Sequence, residues 1–115
     1  MKRRPLAKCQ VKAALKAFEI FPGQVGLRCL AALTIAAEGG KADIAKPMHG
    51  MGPGVFEIAL RFQGDAFRVV YAVQLAADIW VVHAFKKKSK QGIRTPRHDI
   101  EIPRDRLKTL REMSQ

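Results

Sequence analysis

The side chains with the most chemical potential in this sequence are cationic. Arg61 and Arg68 flank the short break Gln63-Gly64-Asp65, and Lys86, Lys87, Lys88 and Lys90 follow an apolar run that ends at Phe85. A guanidinium is a planar fork that grips two phosphate oxygens at once, and clustered ammonium groups add point charges that depress one another's proton affinity. Such a set binds RNA or DNA. It also suits RNA cleavage, in which a 2′-hydroxyl attacks its own phosphate and requires a base, an acid and a counter-charge for the developing phosphorane. A lysine acting as that base must titrate roughly three units below its usual pKa of about 10.4. From these residues alone, binding without chemistry and cleavage both stay open.

Other chemistries find little support. His49, His83 and His98 are far apart and lack Cys or His partners at ligand spacing, although His98 adjoins Asp99 and precedes Glu101, so no metal site is expected. His83 sits in a buried-type strand, where the bland reading is a core histidine with a satisfied ring and the sharper one is catalysis. Ser89 has no triad partner, and Gly50-Met51-Gly52-Pro53-Gly54 lacks the lysine and the following helix of a phosphate loop. Cys9 and Cys29 read as free thiols rather than a zinc site or a disulfide framework, though one bridge between them stays possible on sequence grounds.

The charge is segregated. In a chain of 115 residues carrying +11, residues 1–16 contribute +6, residues 17–85 contribute −1 and residues 86–115 contribute +6. The near-neutral middle is where a core can be buried, and the basic flanks point to a polyanionic partner: nucleic acid first, then an acidic protein or an anionic membrane surface. The bland alternative for either flank is solubility. The length allows one domain, expected to span 1–115. The basic start is interrupted by Lys8, Lys12 and Lys16 where a signal peptide would be apolar, and the longest weakly polar stretch, 27–37, is too short to cross a bilayer. A soluble, cytoplasmic protein without a membrane partner is expected.

The elements that must position these groups follow from periodicity. Val11, Leu15 and Phe18 form one helical stripe over about 11–21, ended by Pro22-Gly23. A second helix is expected over about 23–38, packing through Leu27, Leu30, Ala31 and Thr34 and stopped by Gly39-Gly40. Residues 41–54 read as a long loop. Strands are expected at about 55–62, 66–73 and 78–85 as an antiparallel meander. In the first two, Arg61 and Arg68 each oppose their strand's large apolar set, so both belong to one sheet face. Thr95-Pro96 should open a last helix over about 96–112 that Pro103 kinks or splits.

Several stretches in this order carry a family likeness: Ala37-Glu38-Gly39-Gly40; Lys46-Pro47-Met48 leading to Gly52-Pro53-Gly54-Val55-Phe56-Glu57-Ile58; Phe67-Arg68-Val69-Val70-Tyr71; and His83-Ala84-Phe85-Lys86-Lys87-Lys88-Ser89-Lys90, followed by Thr95-Pro96 and a basic helix. From about Phe18 onward the chain resembles the phage-derived, HigB-like branch of the RelE toxin superfamily. The resemblance implies an α+β, RelE-like fold: two N-terminal helices packed on a small antiparallel sheet of three to four strands, with a C-terminal helix. The implied activity is that of a type II toxin, a metal-independent endoribonuclease that cuts mRNA on the ribosome without a cofactor and is neutralised by a helix-turn-helix antitoxin.

Carried over by residue, Arg68 matches the arginine at the scissile phosphate, Arg61 a basic residue closing the preceding strand, and Lys86 and Lys87 the basic pair after the last strand. Lys88, Lys90, Arg94 and Arg97 are the expected RNA-binding surface. The chain departs from the pattern at Glu57 and Ala59, where familiar relatives carry lysines, and no general base or acid is assigned. The family's first strand has only residues 5–9 to form it. Alternatives in other classes are a non-catalytic RNA- or ribosome-binding protein and a phage structural component on the same scaffold.

Overall fold

A computed structural model describes residues 19, 21–75, 78–88 and 97–113. Two helices and four strands appear in the order α1 (Gly23–Ala37), β1 (Ala45–Pro47), β2 (Val55–Phe62), β3 (Asp65–Leu75), β4 (Asp78–Lys88) and α2 (Arg97–Met113). The strands form one antiparallel sheet in the order β1-β2-β3-β4. The fold is therefore α+β; where two N-terminal helices and a C-terminal one were expected, the described residues show one helix on each side of the sheet in chain order. One precedes the sheet and one follows it, each covering its own side. Apart from Glu19 and Phe21, the helix expected at 11–21 and the strand expected at 5–9 lie outside the described residues.

Alternation builds the two faces. Ile58, Leu60, Phe67, Val69, Tyr71, Val81 and Ala84 pack with Phe21 and α1 in the larger core, while Val55, Val70, Ala72 and Val82 pack with Met51, Leu107 and Leu110 on the α2 side. Helix α1 meets the sheet through Val25, Cys29, Ala32, Leu33 and Ala36. This corrects the expected stripe: Leu27 and Leu30 are 68% and 41% exposed, with Ala31 also outward. Both sides of this helix are apolar, so periodicity fits either. The small Cys29, Ala32 and Ala36 let the backbone approach the sheet closely, and Leu33 fills the remaining space, worth about 1.5–3 kcal/mol when fully buried. The helix ends as its glycines dictate. Gly39 has φ 91°, and the amides of Gly39 and Gly40 donate to the carbonyls of Ala36 and Ile35 at 3.0 Å each.

Residues 41–54 are not entirely loop. Ala45–Pro47 pairs with β2 at the sheet's edge, where a proline's missing N–H goes unused. Helix α2 runs unbroken through Pro103, which is almost fully buried, so the expected split at that residue does not occur. That proline leaves the Asp99 carbonyl without its helical donor, while three side-chain tethers hold the helix against the rest of the fold. Asp99 bonds His83, Arg106 Nη1 donates to the Val82 carbonyl at 2.7 Å, and Arg111 Nη2 donates to the Met51 carbonyl at 2.7 Å. Among the described residues, no helix is long and apolar enough to cross a membrane.

Candidate nucleic-acid interface

The β2–β3 turn sets the geometry. Gln63 and Gly64 have φ of 52° and 84°, the two positive values that a two-residue type I′ hairpin demands, so Phe62 pairs with Asp65 and Arg61 with Ala66. Arg68 then opposes Ala59, which makes the two arginines diagonal neighbours on the α2 side of the sheet, about 7–8 Å apart at the backbone. Helix α2 packs chiefly on β3 and β4, leaving Ala59 and Arg61 exposed. The result is an open shelf with one guanidinium that pairs with no side chain among the described residues and one that is restrained.

Arg68 is the restrained one. Its Nη1 donates to Glu57 Oε1 at 3.0 Å, with side chains 22% and 18% exposed. Arg68 Nε and Glu57 Oε2 are buried without a partner among the described residues. The carboxylate thus fixes the guanidinium plane while using one of its five donors, and it offsets part of the charge a phosphate would see.

The lysines do not all join this shelf. A bulge in β4 places Tyr71 opposite Val81 and Val70 opposite His83, so Val82 is an extra residue. Downstream of it Ala84 and Lys86 share the α1 side with Phe67, and Lys86 lies 3.8 Å from Asp65. The expected grouping of Lys86 with Arg61 and Arg68 is therefore corrected: it occupies the opposite face. Lys87 and Lys88 are the register partners of Ala66 and Asp65. Arg97 is exposed on the first turn of α2, its Nε donating to Glu101 Oε2 at 3.2 Å. Lys90 and Arg94 lie outside the described residues.

The same bulge turns His83 toward α2. Its Nε2 is 2.7 Å from Asp99 Oδ1, and both residues are buried. An ionised carboxylate only accepts, so Nε2 carries the hydrogen in that state. Burial pushes the His83 pKa below its ordinary value; the Asp99 hydrogen bond and charge oppose this, and Arg106 and His98 add to it. The exposed His98 reaches the other oxygen, Asp99 Oδ2, at 3.3 Å. His83 stacks on Phe85, with ring centroids 5.1 Å apart, and Phe85 is itself the register partner of Arg68. Sequence pattern pointed to a core histidine and noticed the His98-Asp99 neighbours, but could not join His83 to Asp99 across sixteen residues. Tyr71 is core, stacked on Phe56, and burial raises its pKa. No group of three His, Cys, Asp or Glu side chains suited to a metal occurs among the described residues.

The family profile described as Phage derived protein Gp49-like (DUF891) matches residues 16–108, well over half of the chain. Neither a curated protein nor a solved structure matches it. The match covers the sheet, the arginine shelf, the lysine run and most of α2, and with it the chain belongs to the Gp49-like family of phage-derived proteins, a RelE-like toxin family.

Proposed function

We propose that this protein is a HigB-like toxin of a type II toxin–antitoxin pair, cutting mRNA in the ribosome and held inactive by a helix-turn-helix antitoxin. The observation that carries the proposal is the shared shelf of Arg61 and Arg68 on the sheet face that α2 leaves open. In this reading Arg61 draws in the strand, and Arg68, oriented by Glu57, meets the scissile phosphate and counters the charge that develops as the 2′-hydroxyl attacks. Lys87, Lys88, Lys90, Arg94 and Arg97 extend the basic approach to ribosomal RNA. No cofactor is needed, because the RNA supplies its own nucleophile. The His83–Asp99 pair stacks beside Phe85, the register partner of Arg68, and its first task is to seat α2.

Arg68→Ala should abolish growth arrest on induction and remove codon-linked cuts from primer extension of translated mRNA, while circular dichroism stays that of the folded chain. Persistent cuts would exclude Arg68 from the site. The Glu57 carboxylate against Arg68 favours a second reading, a non-catalytic RNA-binding protein, because it weakens the cation where chemistry would need it. Intact messages with ribosome association retained would select that reading.

A further inference from the structure

Lys86, removed from the arginine shelf by the bulge, stands at the mouth of a cavity of about 280 Å³ on the α1 side. Phe21, Phe62 and Phe67 line its wall, Phe21 and Phe67 meeting edge to face at 5.1 Å. Gln63, Asp65 and Lys86 supply its polar rim. The volume lies just under the roughly 300 Å³ at which pockets for drug-sized ligands begin, room enough for one aromatic heterocycle. The Lys86–Asp65 pair is loose, at 3.8 Å with both side chains partly exposed, and such a pair is easily opened by a competing partner.

We propose that this cavity is a nucleobase pocket that takes a guanine of the bound RNA strand. The inference rests on RNA being the substrate and deepens that reading by giving it a base preference. Single-stranded RNA is read by splaying a base onto aromatic side chains and hydrogen-bonding its edge. Guanine alone among the four bases presents an acceptor, O6, beside two adjacent donors, N1–H and N2–H. The rim offers the complement: an ammonium donor from Lys86 next to the two acceptor oxygens of Asp65. Adenine and cytosine each place an acceptor where guanine has N1–H, and it would face the carboxylate unpaired, an arrangement a polar site rejects. Uracil has a single donor between two acceptors. The pocket and Arg61 lie on opposite faces at the same end of the sheet, beside the Gln63-Gly64 turn. A strand rounding that turn puts phosphate on Arg61 and a base in the pocket.

The test is a titration of the full chain, without ribosomes, by UpGpU, UpApU, UpCpU, UpUpU and guanosine monophosphate, followed by amide chemical shifts. UpGpU should bind at least tenfold more tightly than the other trinucleotides and move the signals of Gln63, Asp65, Phe67 and Lys86. Asp65→Asn should erase that preference, and Lys86→Gln should reduce it. Equal affinities, or shifts confined to Arg61 and Arg68, would overturn the pocket and leave the nuclease reading standing. Guanosine monophosphate binding as tightly as UpGpU would overturn the strand assignment in favour of a free nucleotide. Absence of mRNA cuts in cells would remove the nuclease reading without altering what the titration says about the base.

Discussion

Replacing Asp99 by alanine tests how the sheet and its second helix are fastened together. The carboxylate accepts from a His83 Nε2 that is buried and 2.7 Å away, so its removal leaves a desolvated donor unpaired, a cost of about 1–3 kcal/mol. It also removes the acidic side chain from the first turn of α2, a further loss of about 0.3–1 kcal/mol. Urea unfolding followed by the fluorescence of Trp80, which packs in the α2-side core, should therefore show a loss of about 2–3 kcal/mol. His83→Phe should cost a comparable amount, and the double variant less than the sum, with a coupling of about 1 kcal/mol or more. The pair also predicts a pH dependence. The unfolded chain protonates His83 near pH 6.5, the folded chain only at lower pH, so between those points the unfolded state holds more protons and stability rises with pH. The contribution is present above about pH 6.5 and drains away as the pH falls from there through the lower folded-state value. His83→Phe should flatten this slope, and subtracting its profile from the wild type removes the other histidines. Additive variants, or an unchanged slope in His83→Phe, would refute the assignment of that hydrogen bond as the fastening.

Three further outcomes are expected. Glu57→Gln frees the Arg68 charge, so affinity for a short RNA should rise and the salt dependence of binding should steepen by up to about one ion; a lower affinity would mean that orientation by Glu57 outweighs charge. Gly52→Ala should destabilise by about 1–3 kcal/mol in urea titration, because Gly52 has φ 93° and a Cβ there would meet Arg111 Nη2 at 2.6 Å, dislodging the bond to Met51. In a Cys9→Ser background, Cys29 should resist thiol-reactive dyes in the folded state at pH 8, since it is wholly buried and burial pushes its pKa up to about 11.

Three of the four strands and both helices that bound the sheet were legible because their signals are local. Gly39-Gly40 ends α1, and alternation in β2 and β3 separates Arg61 and Arg68 from the phenylalanines. What escaped depends on events between elements. Helix α1 is apolar on both sides, so nothing in its periodicity chose Val25 and Leu33 over Leu27 and Leu30 as the buried set. Ala45–Pro47 becomes a strand only because β2 offers it an edge. The expected grouping of Lys86 with the arginines rests on its place at the end of the third strand and on the family likeness, and the bulge that separates them has no local signature in Trp80-Val81-Val82-His83. Asp99 acquired a partner only when α2 folded back over β4.

That single surplus residue in β4 acts as a parity bit for everything after it. Excising Val82 would exchange the sides on which the rest of the strand displays its groups, bringing the ammonium of Lys86 round to the arginines while carrying the imidazole away from its carboxylate. The chain therefore tolerates length changes very unevenly: insertions at the Gln63-Gly64 tip lengthen a hairpin, whereas one codon lost near Val82 rewires both faces of the sheet together.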